Sequence, residues 1–250
     1  MDSRIQQSVV ANLSGRPAAA EVGPFVFGLD PSTDSPHINY ASPRPGAAVT
    51  EADVTELVAA FRAAGRRPRL EYVVNCAPGL EALLAAAGFG VEEQHEYLVC
   101  EAGTLTLPVV PAGFAVREPD ADPERVAMVA AQNEAFGGEP TATDEDAARV
   151  LRSQSRGGVA IMAVAADGTC AGGGTAVAPN DGVSEVGGIG VRPAYRRRGL
   201  AGAITAAVTE RLFAAGADLA WLEASGEDSW RVYERVGYRP AGRRLYMSLD

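Results

Sequence analysis

The residues of this 250-residue chain best suited to chemistry lie in one run. A β-prone segment, Gly188-Ile189-Gly190-Val191, meets Pro193 and then the loop Arg196-Arg197-Arg198-Gly199. Leu200-Ala201-Gly202-Ala203 follows, opening an Ala-rich stretch that predicts a helix over 198–215. The first amides of a helix have no partner inside it, and the helix dipole makes that end positive. Such an end attracts anions. Gly199 lets the backbone come close to a bulky group. The small residues 201–203 leave the helix start uncovered. The chemistry this pattern suits is the holding of a diphosphate on backbone amides. Three plainer readings compete with it: a solvated basic surface, an ordinary turn at Gly199, and a nucleic-acid contact. The last is disfavoured by the acidic chain and by the lack of interleaved aromatics.

Composition narrows the remaining classes. Net charge is −10, which argues against broad binding to nucleic acid or anionic membrane. All 22 basic residues are arginine. That removes a Lys-dependent P-loop, a PLP Schiff base and a kinase-type lysine. Cys76, Cys100 and Cys170 stand apart with no CxxC, and His37 and His95 lie far from any cysteine pair, so no metal site is expected. Buried thiols in a reducing cytoplasm are the simpler reading. There is no apolar run of membrane-spanning length and no apolar leader at residues 1–7, so a cytoplasmic location is expected. GxSxG and GxGxxG are absent.

The elements that must position the loop fall into two halves. Two prolines and two glycines in 100–113 mark a connection, and the expected domains are 1–107 and 108–250. In the first, strands are predicted at 22–28, 37–41, 69–74 and 93–99, with helices at 51–64 and 78–87. Thr50 is the expected N-cap of the former helix, whose first turns carry Glu51, Asp53 and Glu56. In the second, a strand near 113–118 precedes helices at 122–136 and 143–155. A hairpin over 159–178 turns at Asp167-Gly168, a strand spans 184–191, and the loop and its helix follow. A strand at 219–223, a helix at 228–236 and strands over 238–249 close the chain. Both halves end alike, with strand, helix, Gly-aromatic and strand. Laying Gly88-Phe89 on Gly237-Tyr238 puts Leu84 where Tyr233 stands. This is the pattern of an internal duplication, or of two common βαβ-type endings that agree by chance.

Arg196-x-x-Gly199-x-Ala201, between a strand and a helix, resembles the (Arg/Gln)-x-x-Gly-x-(Gly/Ala) signature of the GNAT superfamily of acyl-CoA N-acyltransferases. Leu222-Glu223, followed by Val232-Tyr233-Glu234-Arg235-Val236-Gly237-Tyr238, is similar to the family's second motif, a strand and then a helix ending in Tyr-x-x-x-Gly-(Phe/Tyr). The resemblance covers about 113–250. Residues 1–107 contain no such Arg-Gly loop, so the whole looks like a tandem GNAT protein with a degenerate N-terminal half.

The resemblance implies an α+β fold with a central mixed β-sheet flanked by helices, and a smaller GNAT-like N-terminal half. It implies acetyl-CoA as co-substrate and no metal. The pantetheine arm would meet Ile189, Gly190 and Val191. The pyrophosphate would meet Arg196, Arg197, Arg198, Gly199, Leu200, Ala201 and Gly202. Tyr233 takes the place of the acid that protonates the leaving thiolate. Glu185 and Glu223 are the candidate bases, with Glu185 slightly preferred and a water relay left open. Asn133 and Phe136 would border the acceptor. One departure is Gly226, where many members have an asparagine. The implied activity is acetyl transfer to a primary amine of a small molecule or peptide, by a monomer or homodimer. The alternative is a non-catalytic acyl-CoA-binding or sensor module of the same fold.

Overall fold

The computed structural model describes residues 1–224 and 226–250, with the side chains of 227 and 228 outside that description. In chain order its regular elements are α1 (Asp2–Ser14), β1 (Ala20–Val22), β2 (Phe25–Gly28), β3 (Tyr40–Pro43), α2 (Glu51–Ala63), β4 (Arg69–Val73), α3 (Leu80–Ala86) and β5 (Gly90–Glu101). Then come β6 (Phe114–Arg117), α4 (Asp122–Ala135), α5 (Asp144–Ser155), β7 (Val159–Ala165), β8 (Cys170–Ala176), β9 (Val183–Val191), α6 (Leu200–Ala214), β10 (Leu219–Glu223), α7 (Glu227–Val236) and β11 (Arg239–Ser248). Helix α1 was not expected from the sequence. Its buried Ile5, Val9, Val10 and Leu13 do carry a helical period.

The chain forms two compact units, 1–97 with 240–250, and 98–239. This division differs from the expected boundary at 107/108 at both ends. Strand β5 begins in the first unit, and its Leu98 and Cys100 join the core of the second. Strand β11 follows α7 in sequence yet pairs antiparallel with β4 in the first unit, from Arg244↔Val73 to Ser248↔Arg69. Each unit therefore takes one strand from the neighbouring stretch of sequence.

In the first unit β1–β2 and β2–β3 are antiparallel, and β3–β4 is parallel. Helices α2 and α3 bury Val54, Leu57, Phe61, Leu80 and Leu84 against Phe25, Phe27, Leu70, Tyr72, Leu245 and Met247. The other face of β4 and β11 carries a buried ionic cluster. Glu71 is shared by Arg69 and Arg244, and both guanidinium groups lie over the Tyr246 ring. Buried charges survive only when paired in this way.

The second unit repeats the same strand pattern. β7–β8 and β8–β9 are antiparallel and β9–β10 is parallel, with β6 added beside β7. Helix α6 covers one face through Leu200, Ile204 and Val208, and α4 covers the other through Met128 and Ala131. Strand β8 reads Cys-Ala-Gly-Gly-Gly-Thr-Ala, a poor strand by propensity. Packing explains it. A Cβ at Gly173 would strike Met128 of α4, one at Gly174 would strike Ile189 and Ile204, and one at Gly172 would overlap the Gly190 carbonyl.

The helix endings match at the level of hydrogen bonds. The amide of Phe89 bonds the Leu84 carbonyl at 3.0 Å, and the amide of Tyr238 bonds the Tyr233 carbonyl at 3.1 Å. Gly88 and Gly237 both sit at positive φ, 92° and 112°, as this C-terminal cap requires. Strand order, the succession of antiparallel and parallel pairings, and the caps together support the duplicated pattern, with buried Leu84 in the place of Tyr233.

Candidate active site

Strand β9 is shaped by a bulge. Its pairing with β8 shifts register between Gly173 and Thr175, opposite Gly187–Gly190. Gly188 has φ +62°, and its carbonyl accepts the Gln132 amide at 2.6 Å. Side chains of a regular strand alternate faces. The extra residue breaks that alternation, so Val186 and Ile189, three apart, both face α6. Gly190 faces α4, where a Cβ would lie 2.9 Å from Ala135. The need for glycine there is thus a packing demand of α4.

The ladder between β9 and β10 has three rungs, from Val183↔Leu219 to Glu185↔Trp221. Strand β9 runs on for six more residues. Among the described residues, its β10-facing edge from Val186 to Val191 has no strand partner. Unpaired strand N–H and C=O groups beside a gap are a ready template for an extended, amide-bearing ligand.

At the end of β9, Arg196 does structural work. Its Nε donates to the Val191 carbonyl at 3.1 Å and its Nη2 to the Ala135 carbonyl at 2.7 Å, tying the loop to the strand end and to α4. Arg192 reinforces this junction through an ion pair with Glu134 and a 2.8 Å bond to the Cys170 carbonyl. The sequence reading did not include Arg192 or Gln132. Neither belongs to the loop motif, and their partners lie 22–58 residues away.

Arg197 takes φ +60°, uncommon for a side-chain-bearing residue, and Gly199 takes φ +86° as the N-cap of α6. No side chain caps this helix. The leading amides at Leu200, Ala201 and Gly202 are therefore left for a ligand or water, next to the exposed Arg197 and Arg198. The Arg198 guanidinium lies 5.7 Å and 6.0 Å from the Tyr195 and Phe114 ring centres. A Cβ at Gly202 would touch Val232 and Val236 at 3.8 Å, so α7 packs closely on this end of α6.

Tyr233 projects from α7 into the core shared with Leu200, Leu222 and Tyr238, and is 8% exposed. Burial pushes its phenol up to about 12, so it stays protonated throughout the neutral range. Gly226, the N-cap of α7, has φ +138°, a conformation an asparagine would adopt only under strain. Glu185 and Trp221 are paired neighbours and share one face of the sheet, and Glu223 lies two residues beyond Trp221 on that face. Ala220, Leu222 and Val186 point the other way, into the core with α6 and Tyr233. The two carboxylates thus flank the end of the ladder from the face opposite Tyr233. Glu185 stands on the last rung and Glu223 beyond it, and both are partly exposed. Phe136, 68% exposed at the end of α4, lies beside Gly190. Asn133 is turned to the Thr141 carbonyl at 2.7 Å. Among the described residues, no group of His, Cys, Asp and Glu is placed to hold a metal. Nor, among the described residues, is any helix long and apolar enough to cross a membrane.

The counterpart helix in the first unit is different. Thr50 and Asp53 form a capping box on α2, as the sequence led one to expect of Thr50. The Asp53 carboxylate, held below its usual range by bonding to Thr50, sits where an anion would have to bind. With Glu51 it makes this helix start acidic.

Comparison with known proteins agrees with this geometry. Residues 125–238 match the model of the acetyltransferase (GNAT) family. A GCN5-related N-acetyltransferase from Kribbella flavida superposes over 100% of this chain and 96% of its own, with TM-score 0.85 and 26% identity. A GCN5-related N-acetyltransferase from Sphaerobacter thermophilus superposes over 97% of this chain and 84% of its own, with TM-score 0.64 and 18% identity. A tandem GNAT protein from the clavulanic acid biosynthesis pathway does so over 96% and 86%, with TM-score 0.64 and 18% identity. No curated protein sequence matches the chain.

Proposed function

We propose that this chain, which belongs to the GNAT superfamily, is an acetyl-CoA-dependent N-acetyltransferase that uses its second unit to acylate a primary amine of a small molecule or peptide. The observation that carries the reading is the junction of three features. Among the described residues, the β10-facing edge of β9 has no strand partner beyond Glu185, the α6 start is uncapped beside Arg197 and Arg198, and Tyr233 lies buried on the next helix. Acetyl-CoA, when bound, supplies the activated acyl group. Its diphosphate suits the amides of 200–202, and its amide-bearing arm suits the backbone of Ile189–Val191. The loop's fixed positive φ values hold those amides in place before any ligand arrives.

The protein's own groups divide the remaining work. Tyr233 donates its hydroxyl proton, as a hydrogen bond, toward a thiolate forming in the gap. Glu185 or Glu223 accepts a proton from the amine, directly or through water, on the opposite face of the sheet. A net charge of −10 favours the approach of cationic amines. Residues 1–97 do no chemistry in this reading, because Leu84 replaces the tyrosine and the start of α2 is closed by the Thr50–Asp53 capping box. The test is calorimetric titration with acetyl-CoA, followed by thiol release across an amine panel. One equivalent bound and amine-dependent release are expected. Binding without release for any amine would favour a non-catalytic acyl-CoA sensor, and absence of binding would refute both.

A further inference from the structure

In the first unit the parallel pair β3–β4 meets at the single rung Ala41↔Leu70. The gap beside it holds the side chain of Gln6, from α1, which is wholly buried. The Gln6 carboxamide uses both of its ends. Its Nε2 donates to the Pro43 carbonyl at 2.6 Å and to Ser42 Oγ at 2.7 Å. Its Oε1 accepts the Val73 amide at 2.8 Å. Ser42 Oγ in turn donates to the Glu71 carbonyl at 2.7 Å, bridging the two strands a second time. A backbone acceptor on one strand and a backbone donor on the other thus close on a single amide group. Pro43 ends β3 and Val73 ends β4, just as Val191 ends β9 and Glu223 ends β10.

We propose that the first unit retains a carboxamide-binding slot, the counterpart of the gap between β9 and β10, and that Gln6 of the chain's own first helix fills it. The inference rests on the reading that an amide-bearing arm lies along β9 in the second unit. The ligand class of the slot is a small neutral amide. A diphosphate has no place beside it, because Thr50 and Asp53 close the start of α2. The first unit thus lacks both halves of a cofactor site for different reasons: the arm's place is taken by Gln6, and the phosphate's place is acidic and capped. The inserted amide also satisfies a Val73 amide and a Pro43 carbonyl that would otherwise be buried without partners, which fixes α1 on the sheet.

The experiment uses the full chain and two variants, Gln6→Gly, which empties the slot, and Gln6→Leu, which fills it without hydrogen bonds. Melting temperature and Val73 amide exchange are measured with and without acetamide or pantetheine. Both variants should melt lower than wild type, and their Val73 amide should exchange at least about tenfold faster. The added amide should raise the melting temperature of Gln6→Gly and slow its Val73 exchange, while leaving wild type and Gln6→Leu unchanged. Equal effects on all three proteins, or none on Gln6→Gly, would overturn the proposal. Should Gln6→Gly fail to fold, the wild-type chain still decides: Val73 must be among its slowest amides, and a fast-exchanging Val73 would overturn it. Failure of wild type to bind acetyl-CoA defeats the parent reading instead, and the Gln6 slot is judged on the amide rescue alone.

Discussion

Replacing Tyr233 by phenylalanine removes one hydroxyl and almost no volume, and its effect can be sized from its surroundings. Burial holds the phenol up to about 12. An unperturbed thiol titrates near ~8.5. Complete transfer of the phenolic proton to a thiolate would therefore run uphill by about 5 kcal/mol, at ~1.36 kcal/mol per pKa unit. A side chain in that position serves best by donating a hydrogen bond as negative charge grows on sulfur. Hydrogen bonds to charged groups contribute about 1.5–3 kcal/mol. Tyr233→Phe should then lower kcat by about 10–150-fold. KM for acetyl-CoA should stay within a few-fold, because the interaction strengthens only as the thiolate forms. The assay is thiol release at saturating amine, run between neutral pH and about pH 10. The wild-type rate should show no alkaline fall near ~10, the pH at which an ordinary tyrosine would ionise. Wild-type kcat in the variant would refute the reasoning. So would an alkaline limb near ~10 that disappears in Tyr233→Phe, since the group would then not be the buried, up-shifted phenol described here.

Three further outcomes are expected. Gly199→Glu puts a carboxylate at the anion site and a side chain at φ +86°, so acetyl-CoA affinity should fall by at least about tenfold in calorimetry while circular dichroism stays native. Glu185→Gln should slow turnover more than Glu223→Gln, within the ~10²–10⁴ range of acid–base groups, and the loss should shrink at high pH; full rates in both would favour a water relay. A phenol raised by burial favours folding below its unfolded value near ~10 and loses that contribution as pH climbs toward about 12, a span worth a few kcal/mol at most for Tyr233. Urea titrations from pH 8 to 11 should therefore show a steeper loss of stability for wild type than for Tyr233→Phe, and parallel curves would contradict the shift.

What the sequence by itself determined is what local hydrogen bonding and local charge determine. The α6 start, the Thr50 cap and the two Gly-aromatic endings are built from contacts within about five residues, so residue type at fixed spacing suffices to read them. The Arg196–Gly199 loop is legible by its residue pattern, although Arg196 also bonds Ala135, 61 residues away. The repeated strand-helix-strand ending was legible for the same reason. Tertiary structure decided what lies across the sheet. The assignment of β11 to the first unit depends on pairing with β4, more than 170 residues earlier in the chain. Gly188 looks like any strand glycine until the Gln132 amide and the shifted β8 register show a bulge that turns Ile189 toward α6. Gly173 and Gly174 of β8 acquire their reason only from Met128 on one face and Ile189 and Ile204 on the other. Gln6 reads as one polar residue near a chain start, and becomes the filling of a strand gap only through partners 36 to 67 residues away. Propensity and spacing describe a segment's own backbone, whereas the choice of strand partner and the use of a gap depend on which distant groups must be desolvated together.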